Sequence, residues 1–376
     1  MHTLTVYNLG NADTTRIDLA NGKKILIDYA NMRDPNNKFD KRCDLPEELR
    51  RDLRAAKRDS YDVVAFTHLD DDHIRGSSEF FHLRHAAKYQ GGNRVKIDTL
   101  WVPAAVICEG GLDGEKGILR AEARYRLRQG QGIRVFSQPG QLDDWLRSQG
   151  IAPATRAHLF TDAGQLVPGF TLTGDGVEFF VHSPFASRLD QNEVVVRNDD
   201  ALVLQARFEV QGIRTDVLLM ADVNHEVISN IVRVTRFKRN DERLNWHVMG
   251  ISHHSSYLSL SPDKGVSKTS PVERVKWLLE QRGQTGALLI STSDVIPTTD
   301  TTQPPHRQAA AYYQDVADSL GGEYLVTMNE PNKHNPKPLV IRIDRHGHTK
   351  AKPVTGGVAG VGGAVGTVAP RAGWRK

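Results

Sequence analysis

The sequence "THLDDDHIRG" occupies residues 67–76 and directly follows an apolar run at residues 63–66. Within six positions it places two histidines and three aspartates: His68, Asp70, Asp71, Asp72 and His73. Carboxylates this close repel one another and raise each other's pKa values, whereas a divalent cation converts the repulsion into coordination. The pattern predicts a metal site at the end of a buried strand. Taken alone, the segment also fits a charged surface turn.

Three further segments place possible ligands after strand-like apolar runs. They are Asp28 in "ILIDYANM", Asp222 in "VLLMADVNHE", and the pair His253 and His254 in "GISHHSSY". Nitrogen and oxygen ligands without thiolates suit Zn²⁺, Mn²⁺ or Fe²⁺, and the sequence does not choose among them. The recurrence of such segments favours a metal site over a surface turn.

Composition restricts the class of protein. The chain has 376 residues, of which 39% are hydrophobic, and only two cysteines. Two cysteines supply neither a disulfide framework nor a Cys-rich zinc module. The start "MHTLTVYNLG" lacks the pattern of a secretory leader, and no apolar stretch approaches the roughly 20 residues of a membrane span. We therefore expect a cytoplasmic protein that does not enter a membrane.

Basic residues gather in three runs, although the net charge is only +4. The runs are "RRDLRAAKR" (50–58), "RAEARYRLRQGQGIR" (120–134) and "RVTRFKRNDER" (233–243). Such runs form footprints for phosphate backbones or, balanced by interspersed carboxylates, solvated helix faces. The sequence leaves both interpretations open.

The order of elements predicts the architecture. Strand patterns come first in runs and then alternate with helical patterns, which predicts two β-sheets face to face with helices outside. A helix is predicted for "GSSEFFHLRHAAKY" (76–89). The segment at 108–166 is predicted to be an insertion or a covering segment. The Gly-, Ala- and Val-rich residues 350–376 are predicted to form a disordered tail, with a partner-binding peptide as the alternative.

The cluster at residues 67–76 resembles the metal-binding signature of the metallo-β-lactamase superfamily. The H-x-D-x-D-H-x-x-G variant is typical of the soluble domain of ComEC-type DNA-uptake proteins. The opening hairpins, "VPGFTLTGDGVEFFVHSP", "NDDALVLQARF", "DVLLMAD" and "SHHSS" follow in that family's order over about residues 3–345. The resemblance implies a four-layer αββα sandwich, with residues 1–349 as one hydrolase domain. ComEC-type proteins carry membrane helices, so the comparison concerns only their hydrolase part.

The resemblance also implies a ligand set for two divalent cations, with zinc favoured over manganese or iron. His68 and Asp70 would serve the first metal, Asp72 and His73 the second, and Asp222 would bridge them. His254 would complete the second site, with His253 supporting it from outside; which of the two histidines ligates is left open. Further supporting roles fall to three residues: Asp28 as a hydrogen-bonding group, Asp13 as a buttress, and His182, for which a purely structural role is the alternative.

Two metals with a shared water imply hydrolysis, because they lower the pKa of that water. Asp72 or Asp222 could accept its proton, and His254 or His306 could stabilise the developing oxyanion. The chain departs from the family at Ser255, where a glycine is expected and a side chain would narrow access. It also carries Ala201 in place of a serine, and His306 is displaced within "QPPHRQ".

The basic runs and the resemblance predict a phosphodiester substrate in a nucleic acid or a nucleotide. A metallo-hydrolase of a small ester, thioester or lactam is the first alternative. A non-catalytic scaffold or sensor, with a partner protein held by the C-terminal tail, is the second.

Overall fold

The computed structural model describes residues 1–191 and 195–352, which contain two β-sheets. One sheet has nine strands in the order β15-β14-β1-β2-β3-β4-β5-β6-β7, and the other has six in the order β13-β12-β11-β10-β9-β8. The strands are β1 His2–Val6, β2 Thr15–Asp18, β3 Lys24–Ile27, β4 Ser60–Ala65, β5 Lys96–Pro103, β6 Ile133–Phe136, β7 Phe160–Thr161, β8 Val177–Ser183, β9 Val203–Val210, β10 Ile213–Leu219, β11 Trp246–Gly250, β12 Gly283–Ser291, β13 Glu323–Val326, β14 Leu339–Asp344 and β15 Gly347–Lys350.

Helices connect these strands, and three of them begin at a residue whose side chain caps the helix. Asp44 accepts a hydrogen bond from the backbone N–H of Glu47 at the start of α1, and Asn224 does the same for two N–H groups of α9. The α-helices are α1 Leu45–Ala55, α2 Asp71–Ile74, α3 Ser77–Phe80, α4 Ala104–Cys108, α5 Gly114–Gln129, α6 Gly140–Ser148, α7 Leu172–Asp175, α8 Ala186–Gln191, α9 His225–Phe237, α10 Glu273–Arg282 and α11 Arg307–Ser319. Short 3₁₀ helices lie at Ala87–Tyr89, Pro153–Leu159, Asp241–Leu244, Ser252–Ser255, Tyr257–Ser259 and Thr327–Asn329.

Three apolar clusters separate four layers. The central cluster lies between the sheets and includes Ile25 and Phe208. A second, with Leu49 of α1 and Leu127 of α5, joins helices to the outer face of the nine-stranded sheet. The third joins α9, α10 and α11 to the outer face of the six-stranded sheet. The predicted αββα sandwich is confirmed.

The strand directions bring several loops to one edge of the sandwich. Strands β3 to β7 run parallel to one another, and so do β10 to β13. Parallel strands place their carboxyl ends at the same edge, and ligands of such sheets gather there. The loops after β3, β4, β10 and β11 carry Asp28, the residues 67–76, Asp222 and the histidine pair.

One local prediction differs from the structure. The helix predicted at 76–89 is only α3, because Phe81 leaves it to form a parallel bridge with Val95, while Arg94 donates to the carbonyl of Ser78. The segment 108–166 contributes α5 and α6 to the outer layer, and it also extends the nine-stranded sheet by β6 and β7.

The predicted tail at 350–376 falls outside the described residues from 353 onward. Among the residues that the structure describes, no helix is both long and apolar enough to cross a membrane.

Candidate metal centre

Asp28, directly after β3, organises the base of the site. Its backbone has φ +57°, a conformation that aspartate tolerates better than most residues. One carboxylate oxygen accepts from the backbone N–H of Thr67 at 2.7 Å, and the other accepts from Thr67 Oγ1 at 2.7 Å and from His73 Nδ1 at 2.8 Å. Asp28 is thus a buried hydrogen-bond acceptor for the loop that follows β4.

The bond to Asp28 fixes the role of His73. Because Nδ1 carries the donated hydrogen, Nε2 is the nitrogen that offers a lone pair to a metal when the ring is neutral. His73 Nε2 is buried without a hydrogen-bond partner, 3.4 Å from Asp222 Oδ1 and 3.6 Å from Asp13 Oδ2. It therefore presents a free ligand nitrogen to two carboxylates.

His254 approaches the same point from the other sheet. It lies in a turn where His253, His254 and Ser255 all have positive φ, which turns the His254 ring toward Asp222. His254 Nδ1 donates to the carbonyl of Thr292 at 2.8 Å, so Nε2 is the ring nitrogen that faces the cluster. That nitrogen lies 3.1 Å from Asp72 Oδ2 and 3.5 Å from Asp222 Oδ2.

Four residues form the tightest cluster, with one ligand atom of each within 4.8 Å of all the others: Asp13, His73, Asp222 and His254. Three buried atoms beside this point lack hydrogen-bond partners, namely His68 Nε2, His73 Nε2 and Asp222 Oδ1. Such atoms are costly to bury unless they bind something. The residues fit a divalent cation held by nitrogen and oxygen ligands.

The electrostatics of the cluster agree with that fit. Burial would lower the pKa of His254, but Asp222 and Asp72 raise it to about 9. Burial would also lower the pKa of His73, but Asp222 and Asp28 hold it well above its usual range. Burial would raise the pKa of Asp222, but His254 and His73 hold it well below its usual range. Burial raises the pKa of Asp13 to about 6. Two protonated imidazoles carry the charge of one divalent cation, so a metal can replace two protons here.

His68 and Asp70 form an adjoining half of the site. His68 lies with its ring centroid 4.0 Å from that of His73, and burial lowers its pKa to about 4. Its Nε2 is 3.8 Å from Asp70 Oδ2. The other oxygen of Asp70 accepts from Arg197 Nη1 at 3.0 Å, and Lys116 Nζ lies 3.7 Å away. These cations orient Asp70 and partly neutralise it.

Two predicted residues lie away from the cluster. His182 Nε2 donates to the carbonyl of Arg243 at 2.9 Å, and its ring packs on Phe180. His306 accepts from the backbone N–H of Tyr257 through Nδ1 at 3.4 Å, and Nε2 lies 3.3 Å from the carbonyl of Thr302. Since both ring nitrogens of His306 have backbone partners, the ring is not free to stabilise an oxyanion as predicted.

Ser255 does not narrow the site. Its hydroxyl lies 2.8 Å from Ser291 Oγ and 2.9 Å from the Tyr324 hydroxyl, both on its buried side. The predicted restriction by this side chain therefore finds no support in its contacts.

An open groove of about 600 Å³ leads to the cluster and is lined by Asp70, Glu109, Val195, Val196, Arg197, Asn198, Asp199, Asp222, Asn224, His253 and Leu258. His253 thus faces the groove, whereas His254 joins the cluster. Arg197 also pairs with Glu109, an interaction that sequence reasoning missed. Asp13 was foreseen as a buttress, but its carboxylate lies among the candidate ligands. No sequence signal joins Arg197 to Asp70, because 127 positions separate them.

No protein-family profile and no curated protein sequence matches the chain. Solved structures similar to it include a diphosphatase from the PhnP family, at 11% identity and TM-score 0.32 over 77% of this chain and 86% of that one. The metallo-β-lactamase SMB-1 bound to 2-mercaptoethanesulfonate gives 12% identity and TM-score 0.31, over 67% and 79% of the two chains. The class B3 di-zinc metallo-β-lactamase LRA-12 from an Alaskan soil metagenome gives 11% and 0.31, over 74% and 88%.

These likenesses are too distant to assign an activity, and the fold rests on the four layers described above. The four-layer αββα sandwich is observed directly, whereas membership of the metallo-β-lactamase superfamily and of its ComEC-like subgroup stays what the sequence resemblance predicts.

Proposed function

We propose that the chain is a metal-dependent hydrolase that cleaves a phosphodiester in a nucleic acid or a nucleotide, with two divalent cations, zinc favoured. The convergence of Asp13, His73, Asp222 and His254 beside buried, unpartnered ligand atoms carries this proposal. A scaffold that binds no metal gains nothing from so many buried ionisable groups, whose burial is costly. The cytoplasmic location remains part of the proposal.

Different residues around the metal centre have different roles in the proposed reaction. A divalent cation at this point supplies Lewis acidity and lowers the pKa of a bound water. Asp28 and the Thr292 carbonyl hold His73 and His254 in the tautomers that offer Nε2. Burial would raise the pKa of Asp72, but the hydrogen bond from His254 lowers it to about 2, so this carboxylate is ionised and available to a cation. We assign stabilisation of the developing oxyanion to groups that line the groove and not to His306.

The preference for a phosphate over an acyl group rests on Arg197 and His253, which line the groove together with four carboxylates, those of Asp70, Glu109, Asp199 and Asp222. The Arg197 guanidinium is bonded to Glu109 and to Asp70, so a phosphate would have to replace one of these carboxylates as its partner. Guanidinium groups bind phosphate oxygens in a bidentate manner, and an uncharged lactam or ester gains less from them. Hydrolysis of a small ester, thioester or lactam remains the alternative that acyl substrates test.

Metal analysis and a substrate panel test the proposal. Purified protein is expected to hold about two zinc, manganese or iron ions per chain, and to cleave at least one of single-stranded DNA, duplex DNA, RNA and bis-p-nitrophenyl phosphate. Asp222→Asn is expected to lose metal and activity while retaining the fold by circular dichroism, because it removes a buried ligand charge. Cleavage by metal-free wild type, or activity on acyl substrates alone, would contradict the proposal.

A further inference from the structure

The basic side chains of the three runs have different interaction partners in the structure. The run at 50–58 is balanced by carboxylates, in the pairs Arg51–Glu48, Arg54–Glu47 and Arg58–Asp62. The run at 120–134 is used mostly internally, because four of its five arginines donate to backbone carbonyls: Arg120, Arg124, Arg126 and Arg134. Among the described residues of these two runs, the cations without an ion pair or side-chain hydrogen bond are Arg50, which lies over the ring of Phe80, Lys57 and Arg128.

The run at 233–243 differs, because its cations line one open depression of the surface. Among the residues described, the guanidinium groups of Arg239 and of Arg274 on α10 make no ion pair or hydrogen bond. Arg236 meets a carboxylate only at 3.8 Å, on Asp241. Phe237 has 81% of its surface exposed, and Lys238 Nζ lies 5.9 Å from the centroid of its ring.

These side chains share one open depression of about 660 Å³, lined by Arg233, Arg236, Phe237, Arg239, Asp241 and Arg274. Four of the six lining residues are arginines and one is acidic. At its margin the Arg236 guanidinium stacks over the ring of Trp277, 4.4 Å from the centroid. The surface thus combines excess positive charge with an exposed aromatic face.

We propose that this depression, the α9–α10 patch, binds single-stranded nucleic acid. Unpaired arginines neutralise backbone phosphates, and an exposed aromatic ring stacks on a base, the combination used by proteins that bind single strands without sequence preference. The charge complementarity favours a polyanion, and the exposed ring of Phe237 favours one with unstacked bases.

The length of helix α9 separates the patch from the metal centre. Helix α9 begins at His225, three residues after Asp222, and ends at Phe237. Thirteen residues at about 1.5 Å each span roughly 20 Å, so the patch lies about six stacked nucleotides from the centre at 3.4 Å per nucleotide. The link between patch and cleavage rests on the proposed function, whereas binding at the patch requires no metal.

Fluorescence anisotropy with a labelled, mixed-sequence 20-mer of single-stranded DNA, in EDTA and at 50 to 200 mM NaCl, tests the patch. The double variant Arg239→Gln/Arg274→Gln removes two free cations, and Arg51→Gln/Arg54→Gln makes the same change of charge in the balanced run. Each lost phosphate contact is expected to reduce the salt slope by about 0.7, or affinity about fivefold at 0.1 M salt. The patch variant should therefore bind about 25-fold more weakly, and the control within twofold of wild type.

Phe237→Ala separates stacking from charge. Its affinity is expected to fall at least about fivefold with an unchanged salt slope, because a stacked base is lost and no cation is removed. Equal losses in the two double variants, or no binding at 50 mM NaCl, would overturn the assignment. Phe237-dependent binding to phosphatidylserine vesicles without oligonucleotide binding would reassign the patch to a membrane surface.

Cleavage assays keep the two proposals distinct. Oligonucleotide binding without cleavage under any metal would refute the proposed function and leave the patch standing. Where cleavage occurs, the patch variant is expected to raise KM for the 20-mer and to leave KM unchanged for a dinucleotide, which is too short to reach from patch to centre.

Discussion

Replacing Asp28 by asparagine is expected to weaken zinc binding about 10- to 100-fold without displacing a candidate ligand. Asparagine suits this test because it accepts the left-handed backbone of residue 28, at φ +57°, about as readily as aspartate. The substitution removes a charge and one acceptor position but keeps the shape of the side chain. Any change in metal affinity then reflects the hydrogen bonds that Asp28 makes.

The magnitude follows from three donors that converge on one carboxylate. If the new amide nitrogen replaces the oxygen that faces Thr67 N–H, two donors meet at 2.7 Å. If it replaces the other oxygen, it faces His73 Nδ1 at 2.8 Å, and that nitrogen must become an acceptor. The hydrogen of His73 then moves to Nε2, the atom that faces Asp222. Either outcome weakens zinc binding, and a 10- to 100-fold loss of zinc affinity corresponds to about 1.4–2.7 kcal/mol.

Competition against a chromophoric zinc chelator at pH 7.5 measures the effect. Asp216→Asn is the matched control, because Asp216 is also buried and accepts from Arg207 at 2.7 and 3.3 Å, away from the cluster. Leaving a buried partner unsatisfied costs about 1–3 kcal/mol of folding stability in both variants. Only Asp28→Asn should lose zinc affinity. Wild-type affinity in Asp28→Asn, or an equal loss in the control, would refute the assigned tautomer of His73.

Three further predictions concern the metal, pH and the groove. Zinc at 100 times its Kd stabilises a binding protein by about 2.7 kcal/mol, so it should raise the wild-type Tm by about 4 °C at this chain length; Asp222→Asn should show no such rise in calorimetry. Burial lowers the pKa of His182 to about 4. The unfolded state then gains a proton first as pH falls, so the contribution of His182 to stability should decline between about pH 6.5 and 4 by about 3 kcal/mol. In urea titrations His182→Gln should reduce the decline by about 3 kcal/mol, with the remainder due to other buried histidines such as His68; an unchanged pH profile would contradict a neutral, buried His182. Arg197→Gln should raise KM for a phosphodiester about tenfold and change kcat less, because it removes a charged hydrogen bond to the bound substrate; an unchanged KM would contradict its proposed contact with phosphate.

The sequence predicted the fold from local patterns, and the resemblance added His73, Asp222 and His254 as parts of one site, whereas Asp13 was expected only as a buttress. Apolar runs mark the strands, and polar residues within three positions of them mark strand ends, as at Asp28, His68 and Asp222. Parallel strands then bring those ends to one edge without any further information. The resemblance to a known family supplied the pairing of these ends into one site.

The sequence could not predict features that depend on distant contacts. The helix expected at 76–89 fails because Phe80 and Phe81 are adjacent and both buried, and Phe81 bridges Val95 instead of continuing the helix. The three basic runs look alike in the sequence. They differ only in whether tertiary structure supplies carbonyls or carboxylates, as it does for Arg126 and does not for Arg239.

Backbone strain shows what the metal centre requires of the chain. Nine non-glycine residues have positive φ among those described, and five of them border the site: Asp28, Ala221, His253, His254 and Ser255. Residues in this conformation cost of order 1–3 kcal/mol each, and glycine would avoid that cost. Glycine cannot replace Asp28 or His254, because their side chains orient His73 and approach Asp222. Ser255 keeps its side chain for a different reason, since its hydroxyl joins Ser291 and Tyr324 and anchors the turn that presents His254. The strain is therefore concentrated where a side chain is needed on a backbone that otherwise favours glycine.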